Sequence, residues 1–478
     1  MFRRKAAVVV EDKYTGEKLA ELPLETREEL RRKIEAAFKA RKRWKLSLEE
    51  KVEVVQSLSR GLRKRREEVM ELMMREAGQP RKYAEFEYKQ AVALALAYRS
   101  MLEIISEKKV PAVSGSTLLV REPFNLAGIM TARNGPLIMP FFTLTSALGA
   151  GVASVLKPPN AAPLTARLVV EELKSSLGEK AELVQFTTAS GEDAAWEFVE
   201  NPLVDVLVVF SSSHIGKDNV IKMGEYLKRQ RRKFGGFPLI TGKLKKYVPQ
   251  MGGNDALIVL PSADVDKAVE AAVVGGFANA GQICISPRRF LVHGAVYEEF
   301  KEKLVEEVER LKVGDPRDPE TDIGPIGSGR VLEIVKHQLR DAERRGAIIC
   351  GGVISPPFVY PTLVEFSKET VMESEEKPLL WAEESFAPIR TLVRYESTKE
   401  AVELANDAAY GLRASIYGDP QEALRIAREL DVGMVVINEN PLYGDVFMPW
   451  GGIKDSGLYG AIYLVEEFTY RKAIHVGG

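Results

Sequence analysis

Cysteine and histidine are scarce in this chain, with two and four copies in 478 residues. Two thiols build neither a disulfide framework nor a structural zinc site, and His214, His293, His337 and His475 show no metal-ligand spacing, so no metal is expected. No apolar run approaches the roughly eighteen residues that a membrane-spanning helix needs. Met1-Phe2-Arg3-Arg4-Lys5 leads into only a short apolar stretch before Glu11 and Asp12, too short for a secretory signal. An excess of charge of one sign is missing too: 67 basic residues face 68 acidic ones, so nothing draws the chain as a whole to nucleic acid or to an anionic membrane. No G-x-G-x-x-G occurs, so any dinucleotide must be held without that glycine fingerprint. What remains is a large protein of a reducing, cytoplasmic compartment, with two or three domains and substantial cores. Abundant Lys, Arg and Glu on helical segments points to a thermophilic source.

The pattern along the chain is mainly one of alternating strands and helices. Leu30, Ile34 and Phe38 mark the apolar side of a first helix. A second opens at Ser47-Leu48-Glu49-Glu50, a capping box, and continues through Val52, Val55, Leu62 and Val69 to Gly78-Gln79-Pro80. Residues 106–122 read as a hairpin arm. Extended runs at 126–132, 152–156, 183–186 and 204–210, separated by helical stretches, predict a parallel, doubly wound sheet whose ligands lie beyond the carboxyl ends of its strands. A second α/β series starts at Asp255 and runs to Val435-Val436-Ile437-Asn438. Between the two, Lys228-Arg229-Gln230-Arg231-Arg232-Lys233 reads as a solvated helix face or a phosphate contact. Cys350, in an apolar strand, reads as a core thiol.

Cys284 is different. It follows a helical stretch at 265–275 and Asn279 and Gly281, and precedes the strand-like Arg289-Phe290-Leu291-Val292, so it falls at a helix-to-strand junction. Glycine beside it lets a backbone N–H approach a reacting oxygen, which suits a nucleophile; a buried, inert thiol is the alternative on this peptide alone.

Five ordered features give the chain its resemblance to the aldehyde dehydrogenase superfamily, over nearly its full length. Gly281-Gln282-x-Cys284 resembles the nucleophile motif, Glu383-Glu384-Ser385-Phe386-Ala387-Pro388 the E-E-x-F-G-P motif, and Pro449-Trp450-Gly451-Gly452-Ile453-Lys454-Asp455-Ser456-Gly457 the P-x-G-G-x-K-x-S-G motif. The spacings from Asn134 to Lys157 and from Gln250 to Cys284 agree as well. The resemblance implies two doubly wound α/β domains: a cofactor-binding domain at 1–105 and 123–249, and a catalytic domain at 250–455. It also implies an oligomerisation arm at 106–122 and 460–478 that joins subunits into a homodimer or homotetramer. It further implies NAD- or NADP-dependent oxidation of a small-molecule aldehyde, with Cys284 as nucleophile, Asn134 and the Cys284 N–H holding the alkoxide, and a thioester intermediate. Lys157, Asn160, Ser212, Ser213, Gly252, Glu384 and Phe386 are the implied cofactor contacts.

The departures from the pattern carry their own expectations. Gln250 stands where the family's general-base glutamate is usual, and an amide orients water but takes no proton. Coenzyme A as acyl acceptor, or a weakened member acting as a binding or structural protein, are therefore alternatives. A Cys–His hydrolase is the reading from another class. Ser212 replaces a glycine of the pyrophosphate-facing turn, and the 217–248 segment is longer than usual. A neutral Asn160, where a glutamate is common, predicts that NADP is accepted alongside NAD. Arg133, in place of an aromatic, predicts an aldehyde that carries an anion.

Overall fold

The computed structural model describes residues 6–234, 237–445 and 447–477. Two sheets dominate. In the first, Lys246–Gln250, Val206–Phe210, Leu126–Met130, Ala153–Lys157 and Val184–Phe186 lie side by side in that order, all parallel. Val206–Phe210, with the sequence VLVVF, is buried on both faces except at its last residue, as a strand covered by helices on both sides must be. Close cover needs room: a Cβ at Gly128, in the neighbouring strand, would lie 2.6 Å from the Phe198 ring of helix Gly191–Glu200.

The second sheet runs in the order Ala347–Cys350, Thr362–Phe366, Ile389–Tyr395, Pro287–His293, Asp255–Val259, Arg413–Tyr417, Met434–Ile437. It is parallel except for the antiparallel edge strand Ala347–Cys350. Each sheet has its own apolar core. Leu464, Val465 and Phe468 pack into the first core, so the C-terminal stretch returns to that half before it forms an arm. A third, antiparallel sheet of Thr469–Val476, Ser116–Pro123 and Lys108–Pro111 pairs the two segments expected as the arm.

Local signals account for several boundaries. Ser47 accepts from the Glu50 N–H while the Glu50 carboxylate accepts from the Ser47 N–H, the reciprocal cap expected there. The single helix expected beyond it is two, Leu48–Lys64 and Arg66–Ala77. The break falls at Arg65, whose guanidinium binds Glu68 and Glu172. The basic run is corrected as well. Lys228 and Arg229 close the helix Ser213–Arg229, where cations suit its C-terminal dipole, while Arg231 and Arg232 lie in a strand, Arg231–Phe234, paired with Phe237–Ile240. Gly235 and Gly236 lie outside the described residues. Among the described residues, no helix is long and apolar enough to cross a membrane, and no His, Cys, Asp and Glu cluster suits a metal ion.

In the first sheet the chain leaves Leu126–Met130 toward Ala153–Lys157 on one side and finds Val206–Phe210 on the other. The order of connection reverses between those strands, and a crevice opens beyond their carboxyl ends, the usual ligand position in such sheets. The loop after Leu126–Met130 carries Arg133 and Asn134, and the junction after Val206–Phe210 carries Ser211, Ser212 and Ser213.

Candidate active site

Cys284 reaches this crevice from the second sheet. Helix Val265–Phe277 ends, and Asn279, Ala280 and Gly281 follow with φ of 52°, 54° and 68°. Two non-glycine residues in the left-handed region carry a cost of roughly 1 kcal/mol or more each, which the surroundings must hold in place. The position of Gly281 admits no side chain, since a Cβ there would sit 2.3 Å from the Ala387 carbonyl oxygen.

Hydrogen bonds across the seam bring the two loops together. Asn279 Nδ2 donates to the Asn134 carbonyl at 3.4 Å, and Gln79 Nε2 donates to the same oxygen at 3.0 Å. Gln79 Nε2 also reaches Glu87 Oε2 at 2.6 Å, while Glu87 Oε1 accepts from the N–H groups of Leu137 and Ile138 at 2.9 and 2.8 Å. Burial pushes the Glu87 carboxyl up to about 7, against the pull of those three donors. Gln79 and Glu87 were not legible as site residues. Gln79 reads from sequence only as part of the helix stop Gly78-Gln79-Pro80, and nothing local singles out Glu87.

Arg133 completes the seam. Its Nη1 donates to the Ala77 carbonyl at 2.6 Å and its Nη2 to Gln282 Oε1 at 2.5 Å, and burial lowers its pKa to about 10. Arg133, expected to read a substrate anion, thus has two of its donors engaged by protein acceptors. The residue lies in the wall of the larger cavity and not of the narrower one.

Two cavities meet at the thiol. Cys284, Asn134, Gln250, Met139, Phe210 and Trp450 belong to both walls. The larger, with an empty volume of about 1750 Å³, runs past Ser211, Ser212, Ser213, Gly252, Glu384 and Phe386. The narrower, about 1220 Å³, is walled by aromatic and aliphatic side chains that include Tyr83, Phe86, Phe142 and Ile285, with Arg413 as its only cation among the described residues.

The larger cavity fits a dinucleotide. Helix Ser213–Arg229 opens onto it with Ser212 as N-cap, and no side chain caps the first turn, so N–H groups remain for an anion. A Cβ on Gly252 would stand 2.1 Å from Glu384 Oε2, so a glycine is needed for the carboxylate to lie where it does. Lys157 and Asn160 stand apart from that wall. Lys157 ends its strand at the same carboxyl edge, fully buried, and its Nζ donates to Asn160 Oδ1 at 2.9 Å and to the Pro158 carbonyl. Burial lowers its ammonium to about 8.

Burial first, then the Glu384 and Asp255 carboxylates, push the Cys284 thiol up to about 12, while Arg288 pulls the other way. Gln250, at the end of strand Lys246–Gln250, belongs structurally to the first sheet, and its Oε1 is buried without a protein partner. His214 and His337 reach the wall of the larger cavity, yet no hydrogen bond joins either to Cys284 among the described residues, which gives a Cys–His pair no support.

Comparison with known proteins gives this geometry its context. The profile of the aldehyde dehydrogenase family matches residues 2–474. The chain belongs to the aldehyde dehydrogenase family. A lactaldehyde dehydrogenase of Methanocaldococcus jannaschii is 28% identical over 471 residues, covering 96% of this chain and 95% of that protein. A probable NADP-dependent succinate-semialdehyde dehydrogenase of Sinorhizobium fredii is 30% identical over 474 residues, covering 97% and 91%. The crystal structure of a glyceraldehyde-3-phosphate dehydrogenase of Methanocaldococcus jannaschii with NADP superposes with a TM-score of 0.87 at 27% identity, covering 100% of both chains. This aldehyde dehydrogenase is accordingly an oxidoreductase that uses NAD(P).

Proposed function

We propose that the chain oxidises an aldehyde to a carboxylic acid through a thioester on Cys284. The observation that carries this is the meeting of the two cavities at Cys284, Asn134 and Gln250. The Cys284 sulfur, once its proton has left, bonds to the carbonyl carbon, and the carbonyl oxygen takes the negative charge. The Asn134 side-chain amide and the Cys284 backbone N–H donate to that oxygen; preorganised neutral donors of this kind favour the charge as it develops. Ser212, Ser213, Gly252, Glu384 and Phe386 would hold NAD(P) along the larger cavity, and Lys157 and Asn160, at the same carboxyl edge of the sheet, would meet its adenosine ribose. When bound there, the nicotinamide supplies the hydride acceptor.

Release of the acid requires water to add to the thioester, the C–S bond to break and the thiolate to leave. The orphan Gln250 Oε1 suits a hydrogen bond from such a water, but the amide removes no proton. General-base catalysis is worth on the order of 10² to 10⁴ in rate, so deacylation is the slow step. Transfer of the acyl group to a thiol such as coenzyme A is the second reading, favoured by the same Gln250.

Substrate charge is assigned to Arg413 in place of Arg133. Arg413, almost fully buried, lines the narrower cavity and sits in no ion pair among the described residues, although the Asp255 carboxylate favours its charged form and accepts from its backbone N–H. Its Nη1 holds the Pro441 and Tyr443 carbonyls, its Nη2 meets only the sulfurs of Met434 and Met448, and its Nε has no partner. The Nε–Nη2 edge, which suits a carboxylate, thus lacks an oxygen acceptor. The other charges on that wall are dressed: Glu87 by its three donors, Asp445 by the N–H groups of Phe447 and Met448 and the Tyr443 hydroxyl. The aldehyde is therefore one that carries an anionic group. The enzyme works in the cytoplasm, as a dimer or a tetramer joined through the arm sheet, whose exposed outer strand Thr469–Val476 offers an open edge.

Five outcomes test these readings. Rapid mixing of aldehyde and cofactor should give a burst of reduced cofactor near one equivalent per Cys284, then a slow rate that Gln250→Glu accelerates; fast turnover without a burst sinks the role of Gln250. NADP should bind within about tenfold of NAD, a gap under roughly 1.4 kcal/mol. Its affinity should weaken as pH rises through the Lys157 value of about 8, because the cation is present below that pH and lost above it. Arg413→Gln should lower kcat/KM at least about tenfold for succinate semialdehyde relative to pentanal, a neutral aldehyde of similar length, and an unchanged ratio removes Arg413 as the anion reader. Sedimentation should find no stable monomer at micromolar concentration, and a compact monomer there would refute assembly through the arm.

A further inference from the structure

We propose that Arg288 is a positioning residue that ties the nucleophile loop to the Glu384 carboxylate, so that cofactor binding and the state of the thiol are coupled through one guanidinium. Arg288 is almost fully buried, and all five of its N–H donors have acceptors. On the nucleophile side, Nη1 donates to the Cys284 carbonyl at 3.1 Å and the Ser286 carbonyl at 2.8 Å, and Nη2 to the Ile283 carbonyl at 2.8 Å. On the other side, Nε donates to the Ser385 carbonyl at 3.0 Å and Nη2 to Glu384 Oε1 at 2.9 Å. The guanidinium also lies 5.9 Å from the centre of the Phe386 ring. One side chain therefore touches three successive residues of the 384–386 loop and three of the nucleophile loop.

A buried charge is a costly way to tie two loops, because an apolar pair of equal volume would serve stability as well or better. What the charge adds is electrostatic. It pulls the Glu384 carboxyl down in a site where burial pushes it up, and it opposes the same carboxylate's effect on Cys284. The groups that face the thiol electrostatically are Glu384, Asp255, Arg288, Arg413 and Tyr83, and Arg288 is the cation that bonds directly to the Cys284 main chain. A ligand whose hydroxyls engage Glu384 changes the balance at the sulfur through this link. The coupling rests on Glu384 being a cofactor ligand; the link between Arg288 and the thiol does not.

The test uses the whole enzyme and two readouts: NADP affinity by fluorescence titration, and the pH profile of iodoacetamide alkylation at Cys284, followed by mass spectrometry to separate it from Cys350. Arg288→Met should shift the alkylation midpoint upward, slowing alkylation about tenfold at fixed pH, and should weaken NADP binding about tenfold. Arg288→Lys should restore the alkylation profile, since the charge remains, but not NADP affinity, since an ammonium cannot bridge both loops. Arg288→Met combined with Glu384→Gln should weaken NADP little beyond either single change. The proposal is overturned if Arg288→Met leaves the midpoint and the NADP affinity within twofold of wild type, or if the two losses simply multiply. Should Arg288→Met fail to fold, wild-type NADP affinity in Arg288→Lys would overturn it instead. Unchanged NADP affinity in Glu384→Gln alone would remove Glu384 from the cofactor site and the coupling with it. The alkylation profile, read without cofactor, would still decide the link between Arg288 and the thiol.

Discussion

The site depends on a seam between two separately cored halves, across which buried donors must find carbonyl oxygens. Arg133, Gln282, Asn279, Gln79 and Glu87 form that seam, and each makes at least one hydrogen bond to the loops that carry Asn134 and Cys284 or to the helix start beyond Asn134. Inside a protein an unpaired N–H or carbonyl costs a sizeable fraction of the total stability, so these partners fix the loops with little freedom to drift. The left-handed turn at Asn279, Ala280 and Gly281 is part of the same constraint: strain at the nucleophile loop is held by contacts on its far side.

Electrostatics set a second tension. The thiol sits near two carboxylates, and their charge together with partial burial disfavours a thiolate. The arginines packed around it, Arg288 and Arg413 above all, are the compensation the chain itself provides. They differ in kind. Arg288 has no donor to spare, whereas Arg413 has an edge that meets only sulfur and no oxygen. A saturated guanidinium organises its surroundings, and an unsaturated one leaves a buried donor without an acceptor.

The 217–248 segment shows where local reading reaches its limit. A run of basic residues has no intrinsic preference between helix and strand strong enough to override its surroundings. Whether Arg231 and Arg232 continue the helix or start a strand depends on the pairing with Phe237–Ile240, which is a contact between positions, not a property of either. The arm is a similar case. Residues 116–123 are strand-like by themselves, but their partner, Thr469–Val476, comes from the other end of the chain.

The sequence by itself determined the alternation of strands and helices, the Ser47 cap, the core position of Cys350, the strand-to-helix junction at Ser212 and the helix-to-strand junction at Cys284, because these follow from periodicity and backbone chemistry within a few residues. The resemblance of its motifs named the family before any coordinates. Only the tertiary structure decided which polar side chains face the two cavities. Arg133 and Arg413 are both arginines beside plausible site segments, and nothing local separates them. Arg133 is tied to Ala77 and Gln282 in the wall of the larger cavity, while Arg413 lines the narrower one with an unpartnered nitrogen. The role of a buried charge is set by where its partners lie, and those partners are remote in sequence: Gln282 from Arg133, Glu384 from Arg288, Glu87 from Leu137.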